Sequence, residues 1–366
     1  MKTKFLIFVN LLAVFAVSCN QEQQTTSEGV EKQTEIANAN RISPMIDQVE
    51  SININNGLAT NCENNILRFP TWEKYYQTIE QLDKMSENYY DNFHLTVPAN
   101  LTDEQYDAYA DQMGFDEDKI LKKFEYGLAF CSLRKKIELA ETEWLANQGD
   151  DDWNEADDPD NDFIEDDTER ALLSYGHEVI IGSEERNGQI IYKFTGNGTY
   201  IQINNMDLVA LQSINAGVIP TNNPNVIVFD NPKPRDCKNT NEFRQYFSIS
   251  PKTKMKTIDK YTHGTMIGNP KVKAKTKFYR KKRGIWSRGR ATILARLSTI
   301  AGLECGDGVM PLPRENVQRR HKVKAKWDGI ALQSANPGVV DDATYGRHGL
   351  PNLYIKNIDL FDGQPN

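Results

Sequence analysis

The sequence predicts an α+β protein, with an N-terminal helical module, a β-hairpin region and a C-terminal antiparallel β-sandwich or barrel. Three patterns indicate this order. Residues 70–147 repeat apolar side chains at helical spacing. Residues 179–203 contain short β-branched and aromatic runs separated by Asn and Gly. Residues 271–278 and 322–327 alternate lysine with apolar residues, which is the period of an antiparallel strand with one apolar and one solvated face.

The helical module has recognisable start signals. Thr71 precedes an apolar stripe and is predicted to cap the first helix. Thr102 and Gln105 have the spacing of a capping box. Asp116 is predicted to cap a third helix that continues to about Asn147. Beyond the hairpin region, residues 215–240 are rich in Pro and Asn and are interpreted as an irregular connection.

Length and composition exclude several classes of protein. The chain has 366 residues, of which 39% are hydrophobic and 10% aromatic. This is too apolar for a wholly disordered chain, and it does not fit collagen, a coiled coil or a multi-span membrane protein. The length is sufficient for two or three domains.

The formal net charge of −8 conceals two oppositely charged parts. Residues 251–366 contain 23 Lys and Arg against 9 Asp and Glu, so residues 1–250 carry the excess of acid. The two parts are expected either to attract one another or to leave the basic part facing an external polyanion.

The N-terminus has the features of a bacterial secretion signal. Lys2 and Lys4 precede an apolar run from Phe5 to Val17 that is interrupted by Asn10. Thirteen residues are short for a membrane span. Ser18 followed by Cys19 resembles a bacterial lipobox, which implies cleavage before Cys19 and its lipidation. The alternative is an ordinary signal peptide with an incidental cysteine. The residue after Cys19 is Asn20, whereas the familiar signal for retention in the inner membrane has Asp at this position. The outer membrane is therefore the expected location.

Four further cysteines are expected to meet an oxidising environment outside the cytoplasm. Three pairings are possible, and we favour Cys62–Cys131 with Cys237–Cys305 because each joins neighbours in sequence. The alternative is four buried free thiols.

The acidic segment, residues 150–169, contains 12 acids in 20 positions. Its spacing resembles that of an EF-hand calcium loop, with Phe163 where the sharp turn requires Gly. The candidate metal ligands are Asp158, Asp160, Asp162, Asp166 and Glu169. The alternatives are a solvated linker or a partner of the basic part; no cofactor other than calcium is expected.

A basic run surrounds an aromatic residue in the C-terminal part. The candidate ligand-binding residues are Arg280, Lys281, Lys282, Arg283 and Trp286. Such a group suits an anionic glycan or a lipid phosphate, whereas nucleic acid is not an expected partner outside the cytoplasm. The alternative is a solvated sheet face and turn.

The sequence contains no specific catalytic signature. None of the five histidines pairs with another at metal-ligand spacing, and G-x-S-x-G, Walker-type, G-x-G-x-x-G and C-x-x-C motifs do not occur. The catalytic residues are therefore unknown, and the sequence favours a non-catalytic role.

Three parts of the chain resemble uncharacterised envelope lipoproteins of Bacteroidota. These are the region around Cys19, the stretch from Phe69 to Leu82, and the stretch from Asp166 to Phe194. That family joins a helical front part to a β-hairpin and a C-terminal β module. It has no established activity, so the resemblance implies location and architecture without chemistry.

Together these patterns predict an outer-membrane lipoprotein with a non-catalytic binding or structural role. An envelope or polysaccharide hydrolase and a calcium-stabilised surface adhesin are the alternatives. The expected organisation is a signal peptide at 1–18, a flexible tether at 19–50, a helical domain at 51–149, an acidic connection at 150–170, a β-rich region at 171–250 and a basic β-sandwich-like domain at 251–366.

Overall fold

The computed structural model confirms the α+β class, with helices in the N-terminal half and antiparallel sheets in the C-terminal half. It describes residues 48–54, 62–151, 153–183, 185–195, 200–229, 240–262, 271–299, 314–328, 344–350 and 353–359. These residues belong to one compact unit. The predicted signal peptide, Cys19 and nearly all of the tether lie outside the described residues, as do Cys237 and Cys305.

Helical structure occupies most of residues 72–146. The helices of the described part are α1 Trp72–Thr96, α2 Asp103–Gln112, α3 Lys119–Gly127, α4 Leu133–Ala146, α5 Asp167–Leu172 and α6 Leu208–Asn215. The Thr71 hydroxyl accepts from the Lys74 N–H, and Thr102 and Gln105 form the predicted capping box. Both predicted helix starts are therefore confirmed.

The predicted third helix is wrong in its start and in its length. Its N-cap position is Asp118, and Asp116 instead accepts a hydrogen bond from the Asp118 N–H at 3.0 Å. The helix ends at Gly127, and Ala129 takes a left-handed φ of 48° that no helix interior tolerates. A second helix then begins after Ser132, whose hydroxyl accepts from the Lys135 N–H.

The first sheet has six strands in the order β1-β2-β3-β4-β5-β6. They are β1 Glu50–Asn53, β2 Asn65–Phe69, β3 Glu178–Gly182, β4 Gln189–Phe194, β5 Tyr200–Ile203 and β6 Val226–Phe229. β2 and β3 are parallel, and the other pairs are antiparallel. Isoleucines of β2 to β5 pack with α6 in a core cluster. The stretch interpreted as an irregular connection contains β6, so that interpretation is wrong there.

Two further sheets form the C-terminal part. The second sheet contains β7 Thr240–Ser250, β8 Thr253–Thr262, β9 Lys271–Lys282, β10 Ile285–Arg288 and β13 Lys322–Asp328. The third contains β11 Ala291–Thr299, β12 Arg314–Arg320, β14 Thr344–Leu350 and β15 Leu353–Asp359. All their strand pairs are antiparallel, and the sheets do not close into a barrel.

The register of β9 and β13 places their lysines on the same face. Ala274 is opposite Ala325, and Lys275 is opposite Lys324. The opposite face of β9 lies against the third sheet, where the Thr276 hydroxyl donates to the Leu294 carbonyl at 2.7 Å. The alternation of lysine with apolar residues is thus confirmed as a division between two faces of one sheet.

The Cys62–Cys131 disulfide is present, as the pairing of sequence neighbours predicts. Cys62 lies just before β2 and Cys131 just before α4, and 69 positions separate them. The bond therefore ties the first sheet to the helical module by a covalent link.

Removal of this disulfide in a Cys62→Ala/Cys131→Ala variant should lower the free energy of unfolding by about 4 kcal/mol. Without the cross-link that closes a long loop, the unfolded chain gains conformational entropy and becomes more favourable. Urea unfolding of the full chain, followed by circular dichroism, measures this change. A loss below about 1 kcal/mol would contradict a stabilising role for the bond.

Candidate functional site

The lysine face of the second sheet is covered by the acidic segment and by α4. On this face, Lys254, Lys256, Lys275 and Lys277 are each at most 5% exposed. Alternation in an antiparallel sheet indicates a solvated polar face, and that expectation is wrong here because the chain folds its own acids onto the lysines. Buried ammonium groups require such counter-charges, since burial without a partner costs several kcal/mol per ion.

Asp160 lies at the centre of this interface and is fully buried. Its carboxylate is 2.5 Å from Arg170 Nη1, 2.8 Å from Lys277 Nζ and 3.3 Å from Lys256 Nζ. Burial alone would raise the pKa of Asp160, but the charges of Lys275, Lys277, Lys256 and Arg170 outweigh burial and hold it well below its usual value. The carboxylate is therefore ionised and bound by several cations at once.

Asp158 connects the acidic segment to the neighbouring strands. It forms an ion pair with Lys256 and accepts a hydrogen bond from the Tyr246 hydroxyl at 2.5 Å. Its second oxygen accepts from the Asp160 N–H at 2.9 Å, which fixes the local turn. Burial, together with the Asp158 charge, raises the pKa of Tyr246, so this phenol stays a hydrogen-bond donor.

The C-terminal end of the acidic segment is held in the same way. Glu165 pairs with Arg244 at 2.5 Å, and cations led by Lys275 overcome the effect of burial and lower the pKa of Glu165 to about 2. Asp166 caps α5 by accepting from the Thr168 N–H, and it pairs with Lys324 at 2.8 Å. Both carboxylates thus combine a local structural role with a tertiary ion pair.

Lys275 differs from its neighbours on the lysine face. Its Nζ donates to the Glu165 carbonyl at 3.3 Å and lies 3.8 Å from the nearest Asp160 oxygen. Burial lowers the pKa of Lys275 well below its usual value, and the nearby carboxylates offset this only in part. A lysine with a lowered pKa is a possible nucleophile, but this one is buried in a packed interface.

Most of the predicted calcium ligands already bind cations of the same chain. Asp158, Asp160 and Asp166 pair with lysines as described above, and Asp162 lies 2.7 Å from His177 Nε2. Glu169 lies half-buried on α5. Within the described ranges, no group of three or more His, Cys, Asp or Glu side chains is arranged to hold a metal ion. Calcium binding stays a prediction, and it would require these carboxylates to leave their cations.

The basic run also contacts acids of the same chain. Lys281 lies 2.5 Å from Asp150, and Lys282 lies 2.6 Å from Asp111. Arg280 is 3.8 Å from Asp107. Arg283 is exposed in the β9–β10 turn, where Arg283 and Gly284 both have positive φ, as a type I′ hairpin turn requires.

Trp286 is buried, although stacking on a ligand would need an exposed ring. Its indole N–H donates to the Gly149 carbonyl at 2.9 Å, and its ring packs at right angles to Trp153. The Lys254 ammonium lies 5.0 Å from the centre of the Trp153 ring, in a cation–π contact. Ligand binding by the basic run stays a prediction, but Arg280, Lys281, Lys282 and Trp286 already have partners within the chain.

Several helix acids complete the interface, and sequence reasoning did not find them. Glu141 is fully buried in α4, where it contacts Lys277 Nζ at 2.7 Å and Arg288 Nη2 at 2.5 Å. It shares the four-residue spacing of Leu133, Ile137 and Leu145, so it occupies an apolar stripe. An acid inside such a stripe is the signal that could have revealed it.

Two histidine–carboxylate pairs are relevant to the hydrolase alternative. His177 and Asp162 form a mostly buried pair, with side chains 21% and 15% exposed, and His177 has a left-handed φ of 66°. His321 Nδ1 lies 2.8 Å from the buried Glu117 at the bend between β12 and β13. Glu117 also contacts Arg290 Nε at 3.2 Å, which fits a structural ion-pair network.

A separate polar cavity of about 520 Å³ lies at the N-terminus of α1. It is lined by Gln48, Glu50, Arg68, Pro70, Thr71, Glu73, Lys74, Gln77 and Ser183. Neither histidine pair reaches it. Sequence reasoning did not find this site, because its residues come from separate strands and a helix start.

Comparison with known proteins identifies no family for this chain. No family model matches it, and no curated protein matches it. Among solved structures, a DUF4848 family protein from Bacteroides thetaiotaomicron aligns over 83% of this chain and 96% of its own length, with 11% identity and a TM-score of 0.20. Within the described part, no helix is long and apolar enough to cross a membrane.

Acid should unfold the protein through the interface carboxylates. Their pKa values are lowered in the folded state, so their contribution is present above the unfolded values near pH 4 and is lost as pH falls toward about 2, the value of Glu165. Urea unfolding at a series of pH values measures this. A free energy of unfolding that is unchanged between neutral pH and about pH 3 would contradict it.

Asp160→Asn should lower the free energy of unfolding by about 3–5 kcal/mol, because it leaves Lys256, Lys277 and Arg170 without their shared counter-charge. The matched control is Asp157→Asn, the same change at an exposed residue of the same segment. The control should stay within about 0.5 kcal/mol of the wild type. Equal effects of the two substitutions in urea unfolding would refute a central role for Asp160.

Proposed function

We propose that this chain is a lipid-anchored protein of the bacterial outer membrane with a non-catalytic binding or structural role. The anchor is Cys19, behind a charged, then apolar, secretion signal. One observation supports the non-catalytic role. Carboxylates of the acidic segment and of α4 form ion pairs with lysines of the second sheet and with Arg170. Groups held in this way support the fold rather than a reaction.

The role of the basic part follows from the same contacts. Lys281 and Lys282 pair with Asp150 and Asp111, so the charge of these lysines is neutralised within the chain. We propose that the attraction between the two oppositely charged parts serves assembly of the fold. Binding of an anionic glycan or a lipid phosphate would compete with these pairs and should be weak and sensitive to salt.

Envelope hydrolysis is the second candidate, and the His177–Asp162 pair favours it. Asp162 at 2.7 Å can orient the His177 ring, as the carboxylate of a catalytic dyad does. Phe163 stacks on the same ring, with 5.3 Å between the ring centres. His177 contacts Ser174 through the Ser174 backbone carbonyl, which accepts from the His177 N–H, whereas the Ser174 hydroxyl donates to Glu178. Because this hydroxyl is not bonded to the His177 ring, the non-catalytic role is the stronger proposal.

Lipid anchoring is tested by substitution of Cys19 in the full chain. Wild-type protein should partition into the detergent phase and carry diacylglycerol, whereas Cys19→Ala should lose the lipid mass and remain as an uncleaved precursor. Ser18→Ala is the matched control, because a small residue before the cysteine is retained and processing should continue. Mass spectrometry of both variants reads out the modification, and lipid on the Cys19→Ala protein would overturn the proposal.

A further inference from the structure

The cavity at the start of α1 has a lining that selects for a polar ligand. It is formed where β1, the end of β2, the first turns of α1 and the residue after β3 meet. Pro70 is the one apolar residue among the nine that line it. Its volume of about 520 Å³ falls within the range of small-molecule sites, roughly 300–1,000 Å³. An apolar ligand would leave these polar groups without hydrogen bonds.

The charges of the lining cancel. Glu50 and Glu73 are balanced by Arg68 and Lys74, and Arg68 Nη2 lies 2.7 Å from Glu50 Oε2. A polyanion would be repelled by the two carboxylates, and a polycation by the two bases. The lining therefore favours a ligand without net charge.

Donors and acceptors in the lining are held in place before a ligand arrives. Gln77 Nε2 donates to Glu73 Oε1 at 2.9 Å, which fixes both side chains on adjacent turns of α1. The Arg68 side chain is 8% exposed, and its guanidinium is held by Glu50 at 2.7 Å and by the Gly182 carbonyl, which accepts from Nη1 at 3.5 Å. Groups that are already held in position lose less conformational freedom when a ligand binds.

We propose that this cavity binds a neutral saccharide. Vicinal hydroxyl groups are both donors and acceptors, and they match a lining of paired carboxylate, guanidinium, amide and hydroxyl groups. The inference rests on the proposed function, because it gives an envelope-anchored binding protein its class of ligand.

The test uses the full-length protein in a detergent without a sugar headgroup. Neutral hexoses, N-acetylhexosamines and their disaccharides are screened by saturation-transfer NMR, and the dissociation constant is obtained for each one that binds. Gln77→Ala should weaken binding between about two- and tenfold, the range for the loss of one or two hydrogen bonds.

Gln81→Ala is the matched control. Gln81 has the same side chain one turn further along α1, is exposed, and does not line the cavity. The Gln81→Ala protein should bind the saccharide with wild-type affinity. Weakening by both variants alike, or saccharide binding unchanged in Gln77→Ala, would overturn the assignment of the ligand to this cavity.

Other outcomes separate this inference from the proposed function. Failure of every saccharide to bind would overturn the inference while lipid anchoring through Cys19 still stood. Binding of free amino acids instead of saccharides would also overturn the inference. The paired charges of the lining would then recognise the ammonium and carboxylate groups of a zwitterion. Release of cleaved product from a disaccharide would confirm the ligand class and refute the non-catalytic role.

Discussion

Burial of lysine ammonium groups in the second sheet is the constraint on which the rest of the structure depends. A lysine that is nearly inaccessible to water must either lose its charge or meet a carboxylate. At Lys256 and Lys277 the carboxylates come from a segment distant in sequence, because Asp158 and Asp160 lie roughly a hundred residues before them. The C-terminal sheet therefore needs the acidic segment to supply carboxylates for its buried lysines. The same ion pairs give the acidic segment a defined conformation.

The same requirement explains why the helices are attached to the sheet. Glu141 of α4 shares Lys277 with Asp160, so α4 and the acidic segment meet on one ammonium group. Asp107 of α2 contacts Lys282 at 2.9 Å, which joins a second helix to the end of β9. The Cys62–Cys131 bond then links the helical module to the first sheet. Ion pairs of this kind fix the relative position of two elements more than they add net stability, since the Coulombic attraction is largely offset by the cost of desolvating both charges.

Part of this arrangement is evident from the sequence. The division of charge between the two parts of the chain predicts attraction as one of two outcomes, and the contacts of Lys281 and Asp150 are an example of it. Local rules also succeed: the capping box of Thr102 and the nearest-neighbour disulfide depend on short-range spacing or loop length. A period of two likewise identifies two sheet faces from one strand.

What local rules do not predict is the partner of each face. The alternation in β9 is the same whether water or carboxylates cover its lysines, so the solvated interpretation failed at Lys275. The break at Ala129 depends on a left-handed residue that helical periodicity does not record. The polar cavity joins Arg68 to Gln77 and Ser183, which only tertiary structure brings together.

A double-mutant cycle on Asp158 and Lys256 tests most directly whether the acidic segment and the lysine face depend on each other. Asp158→Asn and Lys256→Met are made singly and together in the full chain, and the free energy of unfolding is measured in urea. Each single change should destabilise the protein, and the double variant should be more stable than the sum of the two losses predicts by about 1–3 kcal/mol, because it leaves no unpaired charge at this contact. Losses that simply add would show that the two groups are energetically independent and would contradict an interface built on their charge.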